Sequence, residues 1–181
     1  AAAIMEPIRN DYPQDGFLTE IRRMTAEEKI PLIFDEISSG FRMCCGGSHM
    51  VLGVEPDVAV FAKAMTNGYP IAAVIGRKGI MTAAQDTFIS STFWTERVAL
   101  AAAVKSIQEY REHNVAVHLM CIGKRVQEGW VWQAEAAGLR IHVGGIYPLS
   151  HFDFENDQPL ECKTYFTQEM LRRGYLAYTG F

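Results

Sequence analysis

Short apolar runs, each closed by a charged residue, proline or glycine, do most to limit what this chain can fold into. Pro31-Leu32-Ile33-Phe34 stops at Asp35-Glu36. Val58-Ala59-Val60-Phe61 stops just before Lys63, and Ile71-Ala72-Ala73-Val74-Ile75 ends at Gly76. An earlier run, Ala1-Ala2-Ala3-Ile4-Met5, is closed by Glu6-Pro7. A strand with one face in water alternates apolar and polar residues, whereas a strand covered on both faces is apolar throughout. Helical spacing lies between the runs: in residues 16–29, Phe17, Leu18, Ile21 and Met24 fall on one side. Strand-like runs alternating with helices point to an α/β fold with buried parallel strands.

The pattern changes in the second half. Residues 97–113 are alanine-rich and helical, and residues 115–137 place Val115, Leu119, Ile122, Val126 and Trp130 at helical spacing before Gly138. Residues 139–143 and 147–152 read as strands. Residues 160–173 read as a helix closed by Gly174, and residues 175–178 as a last strand. The expected division is a large α/β part over 1–113, followed by a connecting helix and a smaller α+β part over 114–181.

Composition sets the class. Hydrophobic residues make up 49% and charged residues 21% of the 181, as in a globular protein. A net charge of −4 without a basic block argues against nucleic acid or an anionic membrane as partner. No apolar run approaches the roughly 18 residues of a membrane span, and the first residues lack the basic flank of a signal peptide. Cys44, Cys45, Cys121 and Cys162 match no zinc spacing and are expected as free thiols of a cytoplasmic protein. Gly47-Ser48-His49-Met50 spells a common tag remnant, but it lies mid-chain in coherent sequence and is read as native. His49, His113, His118, His142 and His151 show no ligand spacing. The acidic stretch Asp153, Glu155, Asp157 lacks the glycine and terminal glutamate of a calcium loop. No metal is expected.

Ligands of open α/β sheets sit outside the carboxyl ends of the strands. Asp35 and Lys63 each follow such an end. By spacing alone they form either a salt bridge or a catalytic pair. In the second case the lysine forms a Schiff base with pyridoxal phosphate and the aspartate keeps the ring nitrogen protonated, so that the ring can act as an electron sink. Small residues and the turn Thr66-Asn67-Gly68 follow Lys63 and would let a bulky group approach the backbone. Ser90-Ser91-Thr92 is either a loop of capping hydroxyls or part of a phosphate cradle.

Residues 32–42, Leu32-Ile33-Phe34-Asp35-Glu36-Ile37-Ser38-Ser39-Gly40-Phe41-Arg42, resemble the class III aminotransferases, and most closely the branch of glutamate-1-semialdehyde aminomutase. Ile4-Met5-Glu6-Pro7, Gly53-Val54-Glu55-Pro56-Asp57, Lys63, and Thr92 before Phe93-Trp94-Thr95-Glu96-Arg97 fit the same family in order. The resemblance implies the fold-type-I architecture of pyridoxal-phosphate enzymes, with part of its large mixed-sheet domain and part of its small α+β C-terminal domain, and an obligate homodimer. Lys63 would hold pyridoxal 5′-phosphate, Asp35 would face the pyridine nitrogen, and Ile37 would pack on the ring. Thr92 would reach the phosphate in the partner subunit. The substrates implied are an amino donor and a carbonyl acceptor, with transfer between two molecules or, in an aminomutase, within one. The family's glycine- and serine-containing phosphate loop and its C-terminal tail have no counterpart here. The chain is therefore expected to be part of a longer protein, and residues 1–181 alone are expected neither to hold the cofactor tightly nor to turn over. The alternative is an inactive truncated homologue serving as a dimerisation module.

Overall fold

The structure is a computed structural model describing residues 1–177. The chain falls into two compact units, divided within one long helix. The first comprises Ala1–Arg9 with Pro13–His118, the second Asn10–Tyr12 with Leu119 onward.

The first unit is built on a four-stranded sheet in the order β1 (Ala3–Met5), β2 (Leu32–Asp35), β3 (Val58–Phe61), β4 (Ala73–Gly76). The first three strands are parallel, with Ile4 opposite Ile33 and Ile33 opposite Val58. Helix α1 (Phe17–Glu27) packs Leu18 against Leu32, Phe34 and Val54. Leu32 and Phe34 are completely buried, and each contributes about 1.5–3 kcal/mol relative to exposure. Asp57 then fixes the start of β3 against β2. Its Oδ2 accepts the Leu32 N–H at 2.9 Å and an Arg22 N–H at 2.8 Å, while Oδ1 pairs with Arg77 at 2.9 Å. Burial raises the pKa of this carboxyl, but the Leu32 amide and the two guanidinium groups outweigh that and hold it below its ordinary value.

The third apolar run departs from the parallel reading of its pattern and gives the mixed sheet that the resemblance implies. β4 runs antiparallel to β3, with Val58 opposite Gly76, and Val74 and Ile75 are more than half exposed. A parallel return needs a crossover of a dozen or more residues, usually a helix. The connection over residues 62–72 holds only the 3-10 turn Lys63–Met65. The chain therefore doubles back and the sheet is mixed. Short helices α2 (His49–Leu52) and α3 (Lys78–Met81) carry no apolar period long enough to be read from sequence. Helix α4 (Val98–Glu112) follows in the same unit, and Glu96 caps it by accepting the Val98 and Ala99 N–H groups.

In the second unit, helix α5 (Val115–Ala136), which begins in the first, continues to a two-stranded antiparallel sheet of β5 (Ile141–Gly144) and β6 (His151–Phe154), followed by α6 (Pro159–Arg172). Phe152 is the centre of its core, packing edge-on to Trp130, Phe154 and Phe166 with centroids 5.1, 5.6 and 5.4 Å away. The strand expected over 147–152 is displaced. Gly145 adopts φ 87° and Tyr147–Leu149 form a 3-10 turn around Pro148, so the second strand begins only at His151. Residues 175–177 have no regular structure, and Tyr178, the end of the expected last strand, lies outside the described residues.

Candidate active site

Asp35 is the last residue of β2 and Val60 of β3 lies opposite it, so Asp35 and Lys63 emerge at the carboxyl ends of adjacent parallel strands. The two are not ion-paired. Asp35 Oδ1 accepts the Ile37 N–H at 3.0 Å across a tight turn, and Oδ2 has no protein partner among the described residues. Among the described residues Lys63 has no carboxylate within salt-bridge distance. Its Nζ donates instead to Ser38 Oγ at 2.8 Å. The salt-bridge reading of the two strand ends is thereby set aside.

The backbone of Lys63 is in the left-handed region at φ 42°. For a residue with a Cβ this costs about 1–2 kcal/mol, and such strain concentrates at functional sites. The chain then turns through Asn67 at φ 50° and Gly68 at φ 118°, with Thr66 Oγ1 donating to the Tyr69 carbonyl at 2.6 Å. A Cβ placed on Gly68 would meet nothing within 4 Å, so that side of the turn is open.

Below Asp35 lies a buried network that sequence reasoning did not reach. Glu36 is fully buried. Its carboxylate accepts from Ser39 Oγ at 2.6 Å, Ser48 N–H at 2.9 Å and Ser48 Oγ at 2.8 Å, and from the N–H and the ring Nδ1 of His49, each at 2.9 Å. Burial pushes the pKa of this carboxyl up, but the hydrogen bonds from His49, Ser39 and Ser48 prevail and bring it to about 2. Ser48 and His49 are thus integral to the fold. The signal available in sequence was only that an acid directly follows Asp35 in an apolar neighbourhood. Gly40 completes the turn: its N–H donates to the Glu36 carbonyl at 2.8 Å, and a Cβ there would lie 2.7 Å from Phe61 Cδ1.

Ile37 lies two residues after Asp35, beyond Glu36, and is half-buried. Thr92 stands apart. It opens an exposed turn ahead of α4 and makes no hydrogen bond to Asp35, Ser38 or Lys63. Ser90 and Ser91 are exposed beside it. A cavity of about 450 Å³ in the same unit is lined by Phe41, His49, Met50, Phe61, Met65 and Arg77 among others, and by neither Asp35 nor Lys63. Glu109, which is half-buried, and the exposed Glu112 and His113 bring ligand-type atoms within 4.8 Å of one another, but Glu109 is already paired with Lys105 and His113.

Asp35 and Lys63 fit pyridoxal phosphate on two counts. The amine has no carboxylate partner among the described residues and donates only to a hydroxyl. The aspartate has one oxygen fixed by a backbone N–H and one left to accept from a ring nitrogen.

The family Aminotransferase class-III matches residues 1–174. Among relatives, a 3-aminobutyryl-CoA aminotransferase of Cloacimonas acidaminovorans is 33% identical over 147 residues, 81% of this chain and 36% of that protein. A glutamate-1-semialdehyde 2,1-aminomutase of Nitrosopumilus maritimus is 39% identical over 115 residues, 60% of this chain and 27% of that protein. A structure of the FumI protein of Sphingopyxis sp. MTA144, described as its PLP internal aldimine form, superposes with a TM-score of 0.91 at 27% identity, covering 98% of this chain and 44% of that one. The chain spans less than half the length of each of these relatives. With residues 1–174 matched and this sheet topology, the chain belongs to the class III aminotransferase family.

Proposed function

We propose that this chain forms part of a pyridoxal-phosphate-dependent enzyme that moves an amino group from an amino donor to a carbonyl acceptor. The observation that carries the reading is the pair of strand ends: Lys63 Nζ without a carboxylate partner, beside an aspartate with one oxygen fixed and one free. When bound, the cofactor supplies an electron sink for the charge left on the substrate Cα after its proton is removed. Lys63 would hold the cofactor through Nζ, and its free amine would take the substrate Cα proton and return it. Asp35 Oδ2 accepts the ring N–H and keeps that nitrogen charged. Ile37 packs on the ring face, and the Thr92 hydroxyl reaches the phosphate of the partner subunit in a homodimer. Residues 1–113 serve as the cofactor-binding part and 114–181 as the connecting helix and smaller part.

The names of the relatives favour a second reading in the same chemistry. An aminomutase returns the amino group to the neighbouring carbon of the same molecule, and mass analysis of the product with a ¹⁵N-labelled substrate separates the two. An inactive dimerisation module is the third reading, and the intact Asp35 and Lys63 argue against it. The partners proposed are small molecules, with neither nucleic acid nor membrane involved. Among the described residues no helix is long and apolar enough to cross a bilayer.

The test is borohydride reduction of the cofactor-loaded full-length protein followed by peptide mapping. The label is expected on Lys63, and a label on any other lysine overturns the assignment.

A further inference from the structure

Ser38 lies in the turn between Asp35 and Gly40, and it is 9% exposed. Its two polar ends are used differently. The carbonyl accepts the Arg42 Nε–H at 3.1 Å, which fixes the peptide. The hydroxyl accepts Lys63 Nζ at 2.8 Å. Lys63 therefore reaches across from β3 to the turn that follows β2, although the two residues are 25 positions apart. The lysine's strained backbone at φ 42° is part of the same arrangement.

The chemistry of the partner matters. A carboxylate accepts hydrogen bonds only, and its charge would hold the amine as an ammonium. A hydroxyl has one proton to donate and two lone pairs to accept. It can accept from the charged amine and donate to the lone pair of the neutral one. The neutral amine keeps N–H donors that either partner can accept, but only a hydroxyl can also donate to its lone pair, and a hydroxyl has no charge that favours the ammonium over the neutral form. Resting on the function proposed above, we infer that Ser38 is the positioning residue of Lys63, serving as the fixed point for the free Nζ in both of its protonation states. The proton balance is closed: Nζ gains one proton from Cα and returns the same proton, and Ser38 turns its own O–H without losing it.

Two measurements test this, using Ser38→Ala and the hydroxyl-preserving Ser38→Thr. The first needs no turnover. In the cofactor-free full-length protein, trinitrobenzenesulfonate labelling of Lys63 is followed by peptide mass, with Lys105 and Lys124 as internal references. Losing a hydrogen bond from a charged donor frees the amine, so Ser38→Ala is expected to label Lys63 about threefold to tenfold faster. Ser38→Thr should stay within about twofold of wild type. The second measurement is steady-state kinetics with an α-deuterated amino donor. Ser38→Ala should lower kcat by about tenfold, raise the isotope effect and leave KM nearly unchanged, with Ser38→Thr restoring most of kcat. Unchanged Lys63 labelling in Ser38→Ala, or an equal change in Ser38→Thr, overturns the inference. So does a loss of kcat with no change in the isotope effect. Should borohydride fix the cofactor to another lysine, the function fails while the labelling experiment still reads the contact between Ser38 and Lys63.

Discussion

The Glu36 carboxylate and the His49 ring, 13 residues apart in the chain, meet at 2.9 Å between Oε1 and Nδ1 in the interior of the first unit. The contact ties the end of β2, where Asp35 is held, to the loop that returns toward β3. It also makes Glu36 a stability determinant with a defined pH signature. The folded pKa of about 2 lies below the ordinary 4.5, so the stabilisation is complete above about pH 4.5 and is lost as pH falls toward 2. Its size is on the order of 3 kcal/mol.

Glu36→Gln keeps the shape but offers one acceptor oxygen to donors that now use two, leaving buried N–H and O–H groups unpaired. Urea unfolding at pH 7 is expected to show a loss of about 3 kcal/mol, and the gap between variant and wild type is expected to close as pH is lowered toward 2. A gap independent of pH would assign the loss to packing instead of charge.

At Lys63 the backbone and the side chain have separable effects. Lys63→Gly relieves the left-handed strain at φ 42°, whereas Lys63→Ala keeps it. Both remove the amine and should abolish turnover. Lys63→Gly is nevertheless expected to unfold about 1 kcal/mol later than Lys63→Ala in urea. Equal stabilities would show that the strain is released by local rearrangement.

Asp35→Asn should retain cofactor binding weakened by about tenfold to a hundredfold, the value of one charge-assisted hydrogen bond. Its kcat should fall further than its binding, because the pairing to the ring nitrogen strengthens as charge develops during the reaction. Cofactor titration and kcat measured on the same preparation check both. Turnover at the wild-type rate would remove Asp35 from the ring.

Gly40→Ala places a methyl group 2.6 Å from the Glu36 carbonyl and 2.7 Å from the Phe61 ring. Overpacking of this kind costs about 1–3 kcal/mol. Because the clash falls on the turn that presents Ser38 and Asp35, cofactor affinity should drop along with the thermal midpoint. A stable variant with normal affinity would show that the turn can shift without moving the site.

In the first unit the sequence by itself determined where the strands lie and which residues end them. Short apolar runs such as residues 58–61, bounded by polar residues, fit a strand buried on both faces, and a charged residue that ends such a strand lies at its mouth. That made Asp35 and Lys63 legible, and the ordered motifs from Glu6-Pro7 to Thr92 were enough to suggest the family. The partners of those residues were decided only by the tertiary structure. Spacing could not say that Lys63 turns to Ser38 and not to Asp35, because the choice depends on a strained φ and on where a turn 25 residues earlier places its hydroxyl. Nor could it say that Glu36 is fully buried, since apart from Ser39 the donors that stabilise its charge, Ser48 and His49, pack against it only once the chain has folded back. The direction of β4 follows the same logic: an apolar run specifies a strand, but the short connection before it specifies which way that strand runs.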